Sequence, residues 1–232
     1  MVADQRHLAD RIAGGALVIV RRPSLYSEAR AHPAIITDSV SMPHPQSKAK
    51  SDGFTYGDYV GWPDDERWEL IDGVAYDMCP APSRRHQDFV VELAVQAVNH
   101  LRGSDCRTYV APFDVRLPKS DEADELVDTV VQPDVAVICD PSKLDDKGCR
   151  GAPDWIVEVL SPGTARKDQR DKRNLYERHG VREYWLLHPT DDVLMIYRLV
   201  NGVYGKPDVL ALEGETAVDA IDGLVIQWQT DG

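Results

Sequence analysis

The 232-residue chain has no long apolar run; its most hydrophobic early stretch, Ile12 to Val20, is interrupted by Gly14-Gly15. That stretch is too short to cross a bilayer and lacks the small-residue cleavage pattern of a secretory signal, so a membrane or exported protein is not expected and the chain reads as cytoplasmic. Cysteine is scarce: Cys79, Cys106, Cys139 and Cys149 include no Cys-x-x-Cys pair and no histidine at zinc-ligand spacing. A zinc ribbon and a disulfide framework are thereby disfavoured, and reduced, structural thiols are expected. Glycine patterns that cradle phosphates, G-x-G-x-x-G or G-x-x-x-x-G-K-[ST], are missing, as is a G-x-S-x-G nucleophile turn. Nucleotide-binding and serine-hydrolase readings lose their main supports.

Positive charge is also in short supply, with 26 Lys/Arg against 39 Asp/Glu and a net charge of −13. Such a chain repels nucleic acid at long range, which counts against a tight non-specific DNA binder. The deficit is uneven: residues 1–53 hold seven basic and five acidic side chains, and Thr164 to Arg182 holds seven basic against three acidic. A local basic patch is thus compatible with an acidic whole. The run Asp121, Glu122, Asp124, Glu125, Asp128 reads as a solvated loop.

Against this background two acids stand out. Glu158 interrupts the apolar run Trp155-Ile156-Val157-Glu158-Val159-Leu160, and Asp134 follows a proline in Val131-Gln132-Pro133-Asp134-Val135-Ala136-Val137-Ile138. Both are expected in hydrophobic β segments. An unpaired buried carboxylate costs several kcal/mol, so two of them call for a cation, a basic side chain or a proton. Either acid alone is more often structural, because strand acids pair with arginines and Pro-Asp is a common turn dipeptide. Together they suggest a shared divalent cation.

A helix expected from about Thr164 to His179 follows. At 3.6 residues per turn its Ala165, Asp168, Lys172, Leu175, Tyr176 and His179 form one stripe, which sets Lys172 on the inward face. Arg166, Lys167, Arg170 and Arg173 fall off the stripe and read as solvated or phosphate-facing. Lys172 is therefore the lysine expected to complete a site with the two acids.

The rest of the chain reads as follows. Residues 1–53, rich in Pro, Ser, Ala and His with weak periodicity, are expected to be a flexible leader, and the folded domain is placed at 54–232. Tyr56 to Ile71 suggests a short helix leading to the Asp72-Gly73 turn and a strand at Val74 to Met78. Ser83 is a good N-cap, and Val90, Leu93, Ala94, Ala97, Val98 and Leu101 make the clearest helix, ended by Gly103. Strands are expected at Arg107 to Leu117, Thr129 to Ile138, Trp155 to Leu160, Glu183 to Leu187 and Val193 to Val200, with short antiparallel strands after Gly202. The fold class is α/β (α+β), a mixed central β-sheet flanked by helices with additional antiparallel strands.

The succession Trp68-Glu69-Leu70-Ile71-Asp72-Gly73, Pro80-Ala81-Pro82-Ser83 with His86-Gln87, Ala111-Pro112-Phe113-Asp114-Val115, Gln132-Pro133-Asp134, Val157-Glu158-Val159-Leu160-Ser161-Pro162, Asp168 to Tyr176 and Gly180 to Trp185 resembles the Uma2 family. That bacterial family is read as endonucleases of the PD-(D/E)XK superfamily, with a restriction-endonuclease-like fold. The resemblance runs in order from about Phe54 to beyond His188. It implies that Asp134 and Glu158 bind Mg²⁺ or Mn²⁺, that the Val159 carbonyl adds a ligand, and that DNA is the substrate. The superfamily lysine would fall two residues after Glu158, where this chain has Leu160; Uma2 members are similar in lacking it there, and the helix-borne Lys172 is the replacement expected in this chain. Glu69 matches the acid often carried on the first helix, and His86 a family position near the site. A homodimer is one arrangement that would cut both strands of a duplex. Two other readings share the residues: a catalytically weak nucleic-acid-binding or assembly module on the same fold, and a hydrolase of small phosphate esters.

Overall fold

The computed structural model describes residues 47–48, 50–63, 65–78, 81–161 and 167–228, all within the unit Ser41–Gly232. In chain order the elements are β1 (Ser47–Lys48), α1 (Tyr56–Tyr59), β2 (Trp68–Ile71), β3 (Val74–Asp77), α2 (Arg84–His100), β4 (Arg107–Val110), β5 (Val115–Arg116), β6 (Val130–Val131) and β7 (Val135–Ile138). They continue with β8 (Leu144–Asp145), β9 (Gly148–Arg150), β10 (Trp155–Val159), a π-helical turn at Lys167–Lys172, α3 (Arg173–His179), β11 (Glu183–His188) and β12 (Val193–Val200). Short strands β13 (Val203–Tyr204), β14 (Asp208–Ala211), β15 (Glu215–Ala217) and β16 (Val225–Gln227) complete the domain.

This is the expected mixed α+β architecture, and its strands divide between two seven-stranded sheets and a hairpin. The first sheet has the order β1-β3-β2-β6-β5-β9-β8; the second has β13-β12-β11-β10-β7-β4, with β14 also on β12. Each contains one parallel pair, β5 with β9 and β10 with β11, among antiparallel neighbours. On one face of the second sheet α2 buries Val90, Leu93, Ala97 and Leu101 against Val135, Val137, Trp155, Val157 and Trp185, with Ile226 and Trp228 closing the layer. On the other face Leu175 and Tyr176 of α3 meet Ile138, Ile156, Tyr184 and Leu186, together with Val115, Val131 and Cys149 from the first sheet. Because strand side chains alternate, Glu158 projects from β10 toward this second face, with Ile156.

The two long strands expected at Arg107 to Leu117 and Thr129 to Ile138 are each broken, and their halves belong to different sheets. The chain leaves β4 for β5 through a cis Ala111–Pro112 bond, and leaves β6 for β7 through Gln132-Pro133-Asp134. Proline cannot donate to a ladder, so a strand carrying one in mid-course yields there. Asp134 consequently precedes β7 rather than lying within a buried strand, and its side chain is partly exposed.

Three other expectations are corrected. Trp68 to Ile71 is not helical: its four residues are all buried and pair with Val74–Asp77 as a hairpin. The two residues at its tip, Asp72 and Gly73, have φ of 49° and 77°, the mirror-image turn that suits strand twist. Cys106 and Cys139 form a disulfide rather than remaining reduced. They stand opposite each other one step beyond the Arg107–Ile138 pair of β4 and β7, a proximity that their separation of 33 residues conceals. Cys149 is a free, buried thiol pushed up to about 12 by burial, and Cys79 lies outside the described residues. The acidic loop is not simply solvated: Asp124 pairs with fully buried Arg116 and with Arg150, and Asp128 with Lys119.

Candidate functional site

The site lies where the chain crosses between sheets. In the antiparallel pairing of β10 with β7, Val157 stands opposite Val135, so the next step in register sets Glu158 opposite Asp134. Asp134 thus comes beside Glu158 just past the end of the ladder, and two neighbouring like charges repel unless each is compensated. Asp134 Oδ2 accepts the Val159 backbone N–H at 2.8 Å and contacts His86 Nε2 at 3.1 Å. Glu158 Oε1 accepts Lys172 Nζ and the Tyr176 hydroxyl, both at 2.7 Å.

Lys172 reaches a second carboxylate as well, Glu69 Oε1 at 2.8 Å. The ammonium and both acids are almost wholly withdrawn from solvent, at 2 % for Lys172, 0 % for Glu69 and 4 % for Glu158. In so dry a setting the ion pairs are held by hydrogen bonds on every side rather than by charge alone. The inward stripe is thus present at Lys172, Leu175 and Tyr176, all buried, while Ala165 and the side chain of Asp168 lie outside the described residues. Lys172 ends a π-helical turn and not a regular α-helix, so 3.6-residue spacing holds only on its C-terminal side. Lys167 has no described side chain to set against it. Arg173, expected to be solvated or phosphate-facing, pairs with Glu177 and donates to the Tyr204 carbonyl.

His86 reaches Asp134 from the first turn of α2, where Ser83 caps the helix by accepting the His86 N–H at 3.2 Å. Its Nδ1 is buried with no hydrogen-bond partner. Glu69, expected on a helix, extends from β2 and also accepts the Gln132 N–H at 2.9 Å.

Residue types alone did not mark the neighbours that join these parts. Gln132 Nε2 donates to Asp114 Oδ1 at 2.9 Å and lies 3.1 Å from the Tyr59 hydroxyl. Tyr59 in turn donates to Asp114 at 2.9 Å, and burial, followed by the Asp114 charge, pushes its phenol above the ordinary value. Arg67 donates to Gln132 Oε1 at 3.0 Å. Both crossing segments are therefore pinned together beside Asp134; the only hint in the sequence was that Gln132 and Asp114 fall in the motifs surrounding the two crossings.

The donor chemistry suits a hard divalent ion, since two opposed carboxylates and a nearby carbonyl are all oxygen ligands. Among the described residues no group of three or more His, Cys, Asp or Glu side chains is arranged to hold a metal. An ion here would rely on the Asp134–Glu158 pair, backbone and water, as Mg²⁺ sites commonly do.

Comparison with known proteins identifies the family. Residues 56–229 match the model of a family called Uma2 and described as "putative restriction endonuclease". An uncharacterized protein of Synechocystis sp. is 31 % identical over 157 residues, covering 66 % of this chain and 74 % of its own length. The crystal structure of "a putative nuclease belonging to DUF820" from Anabaena variabilis superposes with a TM-score of 0.57 at 18 % identity, over 72 % of this chain and 90 % of that one. At that identity the likeness is one of fold.

Proposed function

The chain belongs to the Uma2 family, and from that premise we propose that it is a metal-dependent endonuclease hydrolysing phosphodiester bonds of DNA. The observation that carries this reading is that Asp134 accepts the N–H of Val159, the neighbour of Glu158, while Lys172 is seated on Glu158 at 2.7 Å. Asp134, Glu158 and the Val159 carbonyl would hold Mg²⁺ or Mn²⁺. Such an ion, when bound, supplies Lewis-acid polarisation of the phosphate and a more acidic water. In this scheme Lys172 would orient the attacking water or offset charge developing on the phosphorane. Tyr176 fixes the same carboxylate oxygen, and His86 orients Asp134. Glu69 acts in this scheme by positioning Lys172, since its burial leaves little room to reach an ion of its own. A homodimer, which would bring two such sites to one duplex, and a cytoplasmic location belong to the same reading; among the described residues no helix is long and apolar enough to cross a membrane.

The second reading, a binding or assembly module with weak catalysis, draws on the lack of a three-ligand cluster among the described residues and on the net charge of −13. The two separate in one assay. Supercoiled plasmid and circular single-stranded DNA are incubated with Mn²⁺, with EDTA, and with Glu158→Ala in place of the wild type. Cleavage by the wild type that is lost in both controls is expected. Cleavage surviving in Glu158→Ala or in EDTA would sink the assignment, and inert wild type that still binds DNA would favour the module.

A further inference from the structure

Among the described residues Arg67 meets no acid, in a chain that has acids to spare. It stands one residue before β2, and strand alternation places it on the same face as Glu69, toward the crossing at Gln132. One terminal nitrogen donates to Gln132 Oε1 at 3.0 Å, and its Nε is buried with no partner. Among the described residues it has no ion pair. Lys172, by contrast, is already committed to Glu69 and Glu158. A partly desolvated guanidinium carries an energetic cost when no carboxylate meets it, and an anion reaching its terminal N–H groups would offset that cost.

We propose that Arg67 is a substrate-binding residue that takes a phosphate oxygen of a nucleic acid beside the Asp134–Glu158 pair. This rests on the nuclease reading above and extends it to the substrate's backbone. Gln132 Oε1 holds one edge of the planar guanidinium and so orients the remaining N–H groups, a fork geometry that fits phosphate better than an ammonium does. Gln132 is two residues from Asp134, so the same amide that pins the crossing also keys the anchor to the carboxylates. The anchor explains how a chain with net charge −13 can admit a polyanion: the attraction is local and short-ranged rather than a field of the whole molecule.

The test is binding of fluorescein-labelled single-stranded and duplex oligonucleotides by anisotropy, in EDTA so that nothing is cut, over a series of salt concentrations. Arg67→Gln keeps a polar side chain but removes the charge. We expect its affinity to fall about tenfold and its log–log salt slope to drop by about one, with a melting temperature close to that of the wild type. Equal affinity and slope in wild type and variant would overturn the proposal. Should the variant not fold, phenylglyoxal modification of the wild type read by mass spectrometry decides the matter: the oligonucleotide should protect Arg67, and an unprotected Arg67 would overturn the proposal. Wild type that binds neither oligonucleotide would overturn the nucleic-acid reading and this inference with it. Binding that depends on Arg67 in a protein that proves unable to cut would leave the anchor standing and remove only the catalytic assignment.

Discussion

Lys172 holds a large electrostatic stake. It is 2 % exposed and shared between two buried carboxylates, so truncating it strands two charges at once. Removing one partner of a buried pair typically costs about 3–5 kcal/mol. Lys172→Ala should therefore lower the unfolding free energy by an amount of that order in urea titrations as well as abolish cleavage. A loss below about 1 kcal/mol would show that water reaches Glu69 and Glu158 freely. Histidine 179, half-buried at the end of α3, offers a separate check. Burial, and then the neighbouring Arg178 charge, hold its imidazole below the usual value. The folded state thus prefers the neutral ring; the stability this contributes is present above the unfolded value near 6.5 and is lost as pH falls through the lower folded value. Melting temperatures taken at pH 7.5 and 5.5 should fall less for His179→Gln than for the wild type, and parallel losses would refute this origin.

At the scale of elements, the crossings depend on backbone closeness that few residues allow. Gly148 opens β9 with φ of 125°, and a Cβ there would drive into the Asp114 carbonyl oxygen. Asp114 also accepts the Cys149 N–H at 2.9 Å and, through its side chain, the Gln132 amide. Gly148→Ala must shift the segment that supports Gln132, and a residue forced into such a φ costs about 1–3 kcal/mol. We expect destabilisation of at least that size in denaturant titrations, together with weaker DNA cleavage; full activity at unchanged stability would mean that β9 and Asp114 do not support the site. Helix α2 acts through its cap in the same way, because Ser83 fixes the turn from which His86 reaches Asp134.

For the whole molecule, the open structural question is where the folded unit begins. Strand β1 at Ser47–Lys48 pairs with β3, and Lys50 reaches Asp58 at 3.1 Å, both ahead of the start proposed at residue 54. We expect a protein beginning at Ser41 to unfold cooperatively, and to cut and bind metal as the full chain does. One beginning at Ser51 loses an edge strand of two residues and an exposed ion pair, contacts of small energetic weight, and should remain folded with a modestly lower melting temperature. Loss of cooperative melting in the Ser41 form would show that earlier residues belong to the core.

Local chemistry made several parts of this protein legible without coordinates. The Ser83 cap and the spacing of Val90, Leu93 and Ala97 specify α2, because a cap and a 3.6-residue apolar repeat are properties of one segment. The apolar-rich run Val193–Val200 specifies β12, and the stripe through Lys172, Leu175 and Tyr176 marks Lys172 as facing inward. Glu158 could be singled out because charge within an apolar strand demands an explanation, and Asp134 because it adjoins one. What sequence could not settle was partnership. Whether Glu69 sits on helix or strand, which cysteines meet, and that two apparently continuous strands split between sheets at Pro112 and Pro133 all depend on which distant segments pack together. So do the Asp134–Glu158 register and the Gln132 clamp. Tertiary structure decides these because a pairing energy is shared between segments far apart in the chain, and no window of neighbouring residues contains both halves of it.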